Sequence, residues 1–476
     1  MMRPLAFACL FLVVCSARAQ ERSGIAHSNY AGTDAVPLNP ARLSGQWSWM
    51  DVNILGADLF VWNDHVYVNG QSRSVLGEMR ESIRTSNSDR FVINEALDPG
   101  TRHVFAQARL KGPALALSLG KTSIGAHVST RFALSLTGVG NAFARFAFNG
   151  LTFKPQHGIR YQDDGLRLVS AAWTEFGVSF ARQLVARDYH RVSAGITANY
   201  LLGHAGAGLG FSELDYTVLD TAQALIHGAS GEYGLAMPAV NAGRGFGFDV
   251  GISYERTLEE ADGYIPHSSC DPLPYRYRLG FSIIDLGGVR FPNALSGTFD
   301  ASTAAFEDYT EVQANGEEGI DSLISASLSS FQRTQDLSIG LPTAASVQFD
   351  HRVADHVYIA ASAVQNLSFG SALRLRRPNT IAFVPRFETQ RFEVALPITL
   401  YEYSIRRPGF GVMLRLNNLV IGSDNLLPLV SRSSLYGLDL YFRLKWTIFR
   451  SPICRGKKKA KHRAGDGNAL PCDVPE

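Results

Sequence analysis

Two Asp-His pairs, Asp350-His351 and Asp355-His356, are the first residues in this 476-residue chain whose types could do chemistry, as a metal site. A protein zinc centre needs three or four ligands held around one point. No further Cys or His stands near these pairs, and they flank an expected turn, so a polar hairpin end is the reading. Two glycine clusters, Gly203, Gly206, Gly208 and Gly210, then Gly243, Gly245 and Gly247, invite a phosphate-binding loop. A dinucleotide fingerprint requires a strand before the glycines and a helix after them. Strand-like sequence lies on both sides of each cluster, which makes these hairpin or bulge glycines. No H-E-x-x-H, G-x-S-x-G or P-loop pattern is present. The chain offers no catalytic residues, no metal site and no cofactor site, and reads as a non-enzyme.

The charges with a pattern lie elsewhere. Segment Ser123 to Leu136 places Ile124, Ala126, Val128, Phe132, Leu134 and Leu136 on one parity and Ser123, Gly125, His127, Ser129, Arg131 and Ser135 on the other. A period of two over that length exceeds the roughly five or six residues of an ordinary strand. It suits a tilted strand crossing a bilayer, which needs about 9–11 residues, with one face in lipid and one in a lumen. The same dyad recurs at Trp173 to Leu184, His190 to Leu202, Gly247 to Glu255 and Tyr436 to Trp446. Tyr200, Tyr254, Tyr436 and Trp446 near segment ends read as an interfacial girdle. The inward parity then carries Arg131, Glu175, Arg191, Asp249, Glu255, Asp439, Arg443 and Lys445. Opposite charges in a narrow lumen either form structural ion pairs or line a solute path. The structural role is favoured, because charges short of water need partners.

These charges must be positioned by strands, and further candidates fill the chain. They include Gln46 to Ile54, Leu55 to Trp62, Val104 to Lys111, Ala114 to Gly120, Arg276 to Leu286, Ala345 to His351, Val357 to Asn366, Phe392 to Leu396, Thr399 to Ile405 and Phe410 to Leu419. The expectation is an all-β fold, a transmembrane antiparallel β-barrel of about 14 strands spanning 46–449. Three stretches break the pattern. Ser23 to Arg42 is polar, Val75 to Asn87 has helical composition, and Phe291 to Gln332 reads as long and irregular. In the last of these Ile320, Leu323, Ile324, Leu328 and Phe331 recur at helical spacing, a short helical insertion.

Residues 1–19 read as a signal peptide: Arg3, then the apolar run Leu5 to Cys15, then Ala17-Arg18-Ala19 as the cleavage site. Val14 before Cys15 suits lipoprotein processing poorly. No later apolar run approaches the roughly 18 residues of a spanning helix. Charged residues are 18% of the chain, below the usual quarter of soluble domains. Cleavage leaves Cys270, Cys454 and Cys472, an odd number without C-x-x-C spacing, which excludes zinc and thioredoxin-type chemistry. Cys454 and Cys472 either pair or stay free. Basic residues crowd the tail 450–476, leaving a slightly acidic body, which excludes a nucleic-acid-binding face. The tail reads as disordered and periplasmic, either simply solvated or touching anionic headgroups.

Several longer segments carry a resemblance. They are Asp51 to Asp64, Gly112 to Phe132, Ala172 to Arg182, Gly245 to Glu255, Tyr277 to Phe291, Leu341 to Asp350, Phe392 to Tyr403 and Ile421 to Leu426. Together, in this order, they resemble the uncharacterised outer-membrane barrels of Bacteroidota, a domain-of-unknown-function family similar to fatty-acid-transporter barrels and to the barrel of the type IX secretion shuttle. The resemblance implies that Asn39-Pro40-Ala41 belongs to a plug, the segment 20–45, packed inside the lumen. It implies an integral protein of a Gram-negative outer membrane, in contact with lipid, that passes or binds a small apolar solute. The alternative it implies is a docking barrel for secreted or surface-attached proteins.

Overall fold

The computed structural model describes residues 22–452 except 71–72, 86–90, 152, 222, 269–270, 302–303, 307–329 and 369–372. Fourteen antiparallel strands close into one barrel. They are β1 (Met50–Asn63), β2 (Arg102–Leu119), β3 (Thr122–Val139), β4 (Arg167–Arg187) and β5 (His190–Val218), then β6 in two pieces (Ala224–Ala236 and Gly243–Thr257). Next come β7 (Tyr275–Ala301), β8 in two pieces (Ser330–Gly340 and Ala344–Ala354), β9 (Val357–Asn366) and β10 (Thr380–Glu388). The last four are β11 (Phe392–Ala395 with Ile398–Tyr401), β12 (Pro408–Phe410 with Val412–Leu416), β13 (Leu419–Ser423) and β14 (Gly437–Ile448). β14 pairs back onto β1 from Met50↔Ile448 to Trp62↔Gly437, so the sheet has no open edge. Closure matters because an unpaired edge would leave backbone N–H and C=O groups without partners in lipid.

The dyads explain the wall. Phe176, Val178 and Phe180 on β4, Phe246, Phe248, Val250 and Ile252 on β6, and Leu440, Leu444 and Trp446 on β14 all point outward and are exposed. An apolar belt facing away from a barrel is unfavourable in water and favourable in hydrocarbon. Inward residues of the wall, Ser123 and Ser129 on β3, Ser179 on β4, Thr197 on β5 and Ser253 on β6 among them, are buried. Tyr200 packs on Phe246 with ring centroids 5.6 Å apart at one end of the belt, and Tyr254 on Tyr277 at 6.1 Å at the other. Tyr436 is no girdle residue: it precedes β14 and packs on Tyr67 at 5.1 Å, under the guanidinium of Arg407. No described helix is long and apolar enough to cross a membrane.

The strand boundaries depart from the pattern for identifiable reasons. Gln46 to Trp62 is one strand from Met50, not two. A bulge between Asn53 and Leu55 turns Ile54 and Leu55 both outward, at 50% and 52% exposure, and so interrupts the alternation. Val104 to Gly120 is likewise one strand, with a bulge between Lys111 and Ala114 where Pro113 lacks an N–H for the ladder. Gly203 to Gly210 form no hairpin; they run through the middle of the 29-residue β5, beside a bulge at Gly203/Ala205. Phe291 to Ala301, expected to be irregular, is the far part of β7. Asp355-His356 forms the β8–β9 turn, where His356 has φ +66°, whereas Asp350-His351, expected at the same hairpin end, lies within β8 with Asp350 buried. The helical spacing from Ile320 to Leu328 lies outside the described residues, as do the signal peptide, the three remaining cysteines and the tail from 453. The Val75 stretch is a helix, Val75–Thr85, and a second helix, Asn141–Asn149, sits at the same end of the barrel.

Turns at 120–121, 188–189, 355–356 and 417–418 are short and share one end with Met50 and Ile448. The longer connections 64–101, 140–166 and 424–436 crown the other end. In bacterial barrels short turns face the periplasm and long loops the exterior.

Candidate functional site: a plugged, two-level lumen

The stretch from Arg22 to Trp49, polar and without a strand period, lies inside the barrel as a short helix (Ser23–Ala26) and two 3-10 turns (Gly32–Asp34 and Pro40–Gly45). Asn39 caps the second turn, its side chain accepting from Ala41 N at 3.0 Å, and Pro40 takes the first helical position that suits a residue without an N–H. The Asn39 amide then donates to Ile252 O at 3.0 Å and to Gln348 Oε1 at 2.9 Å, tying the plug to β6 and β8. The wall admits it because three inward positions are glycines. A Cβ on Gly195 would lie 2.5 Å from the Pro40 carbonyl carbon, one on Gly251 2.2 Å from Asn39 Oδ1, and one on Gly280 3.0 Å from Asn39 Nδ2. Gly195 and Gly251 are direct cross-strand partners.

All eight lumen charges read from the dyads are buried, and the structure sorts them into three groups. Around the plug's Asp34, Lys111 Nζ lies at 2.7 Å, Arg443 Nε at 2.8 Å and Lys445 Nζ at 3.2 Å. Arg443 also pairs with Asp58, Lys445 with Asp51 at 3.1 Å, and Asp439 with Arg22 at 2.5 Å. In the second group Glu255 pairs with Arg191 and, at 2.9 Å, with Arg278. Beside it Asp350 receives Arg386 at 2.8 Å, which also reaches Glu388 at 3.1 Å. In the third, Arg131 bridges Glu175 at 3.3 Å and Asp285 at 2.8 Å, and Arg377 joins Asp285. Asp249 accepts from the Asp285 backbone N–H at 2.7 Å and from the Asn199 amide at 3.3 Å. Each group joins strands, or strands and plug, across the lumen.

The dyads reveal fewer than half of this set. Asp34, Arg22 and Arg42 sit in the plug, whose polar composition says nothing of a docked position. Arg42 is held by carbonyls instead of a carboxylate, donating to Ala26 O, His27 O and Ser28 O at 3.0–3.3 Å. Asp58, Arg278, Asp285, Asp350 and Arg386 do lie on wall strands, as does Arg415, which pairs with Glu393 at 2.8 Å. They share the inward parity of β1, β7, β8, β10 and β12, the same signal that marks the charges on β3 to β6 and β14.

Toward the long-loop end the lumen changes character. Trp173, Leu201, Val289, Phe291, Leu337 and Ile339 face inward and form one apolar cluster with Leu373 and Leu375. The last two belong to the β9–β10 connection, which dips into the barrel: Gly340 N donates to Leu373 O at 3.1 Å and Leu375 N to Gly340 O at 3.0 Å. The glycines once open to a nucleotide reading pack here. A Cβ at Gly203 or Gly243 would meet Phe291 at 2.6 Å, and one at Gly208 would meet Leu373 at 2.9 Å. Among the described residues no group of three or more His, Cys, Asp or Glu could hold a metal.

At the short-turn end the 258–274 connection packs on the plug. His267 Nε2 donates to Gln46 O at 3.1 Å, and Ser451 Oγ to His267 O at 2.9 Å. Burial, which disfavours the charged form, outweighs this hydrogen bond and keeps the imidazole pKa below its ordinary value. The folded state therefore binds fewer protons than the unfolded one as pH falls through about 6.5, and stability drops below that pH. We expect the thermal midpoint to fall less between pH 7 and 5 in His267→Gln than in the native chain. An identical pH profile in both would refute the assignment.

A closed fourteen-stranded antiparallel barrel with an internal N-terminal plug, charged at one level and apolar at the next, is the class these features define. The chain belongs to the family of unknown function DUF5723, which matches residues 40–424. No curated protein matches it in sequence. Among solved structures it is similar to a deltaS2S3 mutant of the monoaromatic hydrocarbon channel TodX (10% identity, TM-score 0.41, covering 88% of this chain and 95% of that one). It is also similar to the Ralstonia pickettii toluene transporter TbuX (11%, 0.40, 88% and 94%) and to a Pseudomonas aeruginosa FadL homologue (12%, 0.37, 88% and 94%). Likeness at such identities does not carry a substrate from one chain to another.

Proposed function

We propose that this chain is an integral, non-enzymatic barrel of a Gram-negative outer membrane that binds or passes a small apolar solute. The apolar cluster inside the long-loop half of the lumen carries this reading. Water-filled porin lumens are polar throughout, whereas Trp173, Leu201, Phe291, Leu337, Leu373 and Leu375 give this one an apolar lining above its charged level. The outward belt supports the membrane location. In this reading the ion pairs are structural: they seat the plug and close the lower lumen to polar solutes, while the β9–β10 connection covers the apolar level from within. Among the described residues nothing in the lumen favours the docking-barrel alternative.

The test is uptake into liposomes by reconstituted full-length protein, with a toluene-sized hydrocarbon and a sugar of similar mass as paired probes. We expect hydrocarbon flux to exceed sugar flux by at least tenfold, and Leu373→Ser/Leu375→Ser to change hydrocarbon uptake at least fivefold. Equal passage of both probes, or uptake unaffected by the double substitution, would overturn the proposal.

A further inference from the structure

Just above the apolar belt the wall carries a notch. β8 is broken at this level and β6 a few residues further along, just beyond Arg244↔Arg290, while β7 runs on between them with positive φ at Asp285 (+54°) and Gly287 (+134°). The β7–β8 ladder stops at Ile284↔Ala344 and resumes at Gly288↔Gly340. A cavity of about 370 Å³ opens there, lined by Arg244, Arg290, Arg374, Ser338 and the backbone of Gly287 and Gly340. Arg244 shares its face of β6 with the belt residues Phe246, Phe248, Val250 and Ile252 and stands one outward position beyond them, about 7 Å along the strand.

Three observations make this more than interfacial arginines. Arg244 and Arg290 are direct cross-strand partners and both exposed, an arrangement of like charges that destabilises a sheet unless something offsets it. Arg374 comes from inside, on the connection that covers the apolar lumen, and reaches the notch past Gly340. A Cβ there would lie 2.7 Å from the Arg374 guanidinium carbon. Its Nη1 donates to Leu341 O at 3.1 Å and Thr343 Oγ1 at 2.9 Å, while its Nε is buried without a partner among the described residues. Charge compensation is incomplete. Asp336 lies 2.7 Å from Arg290, but among the described residues no carboxylate pairs with Arg244 or Arg374, and Arg244 has only a 3.4 Å contact to Asn241 Oδ1.

We propose that this notch is a binding site for the phosphate of a lipid headgroup in the outer leaflet. Guanidinium groups match phosphate oxygens with paired N–H donors, and exposed glycine backbone lets a phosphate approach closely. Basic pockets at this depth are suited to anionic headgroups. The phosphate relieves the Arg244–Arg290 repulsion, and the lipid chains continue down the Phe246–Ile252 belt. Because Arg374 belongs to the connection that covers the apolar lumen, the bound headgroup also ties that cover to the membrane. The site rests on the reading as an outer-membrane barrel and does not depend on the solute.

The test uses full-length protein in a non-ionic detergent, with folding checked by heat-modifiable gel migration so that a failed barrel is distinguished from a failed site. Diphosphoryl lipid A, its dephosphorylated form and inorganic phosphate are the probes, read by native mass spectrometry and titration. We expect Arg244→Gln/Arg290→Gln to weaken diphosphoryl lipid A binding at least tenfold with migration unchanged. Arg244→Lys/Arg290→Lys should keep most of it, and Arg187→Gln at the opposite end should keep all of it. Undiminished binding by the Gln pair, or equal binding of the dephosphorylated lipid, would overturn the site. Full displacement by equimolar inorganic phosphate would overturn the lipid as its occupant.

Discussion

Asp34→Asn is expected to unseat the plug. The carboxylate is the shared counter-charge of Lys111, Arg443 and Lys445, with only 3% of its side chain exposed. An amide keeps the shape and one acceptor but leaves three buried cations with a net charge they cannot shed into water. Removing one partner of a buried pair typically costs about 3–5 kcal/mol. Arg443 and Lys445 retain Asp58 and Asp51, so the heaviest loss falls on Lys111. Its remaining partners are the carbonyl and hydroxyl of Thr33, at 3.0 and 3.1 Å. The expected result is a lower temperature for the heat-modifiable gel shift and a leak conductance in planar bilayers that the native protein lacks. Lys111→Met in the same chain should recover part of both, because it removes the stranded charge. A double-mutant cycle reads that coupling directly. If Asp34→Asn matches the native chain in both measurements, the plug is not held by this group.

How much of this was visible in the sequence depends on whether the information is local. The period of two in β3, β4 and β5 is local, so the barrel and its inward charges could be read from the dyads alone. Bulges are nearly local, but each inverts the parity, and so β1 and β2 read as two strands apiece. The partner of each lumen charge is not local. Arg131 meets Asp285 only because the register of the intervening strands places them opposite, and Arg443 meets Asp34 only because the plug docks inside the closed barrel. The apolar level was hidden for a further reason. Its glycines, Gly203 to Gly208 and Gly243, looked like turn or bulge residues until Phe291 and Leu373 were seen to occupy the space where their side chains would be. Likewise Leu373 and Leu375 sit in a connection without period, and nothing in that stretch says it folds inward.

The glycine cradle under the plug yields the second large effect. At Gly251 the atom nearest a new Cβ belongs to the Asn39 side chain, which has some freedom to move. At Gly195 the nearest three are Pro40 C at 2.5 Å, Ala41 N at 2.6 Å and Pro40 O at 2.6 Å, all backbone. The ring of Pro40 fixes its φ, and Asn39 is bound to β6 and β8, so the turn has little room to yield. Gly195→Val therefore sets the wall against the plug. Valine itself suits a strand, and the β5–β6 ladder through Gly195↔Gly251 does not need the glycine for its hydrogen bonds. Overpacking of this kind costs typically 1–3 kcal/mol, about the upper end where backbone must shift. The barrel should still assemble, while segment 22–45 becomes accessible to protease added from the short-turn side and the bilayer conductance rises. Gly251→Ala should show the same changes to a smaller degree, since the two nearest atoms belong to the Asn39 side chain and Pro40 Cδ stands 3.2 Å away, and Ile196→Val, one residue away on the lipid face, should show none. A Gly195→Val chain that remains closed and protected would mean that the Pro40–Gly45 turn is free to rearrange within the lumen, and that Asn39 rather than the cradle holds the plug in place.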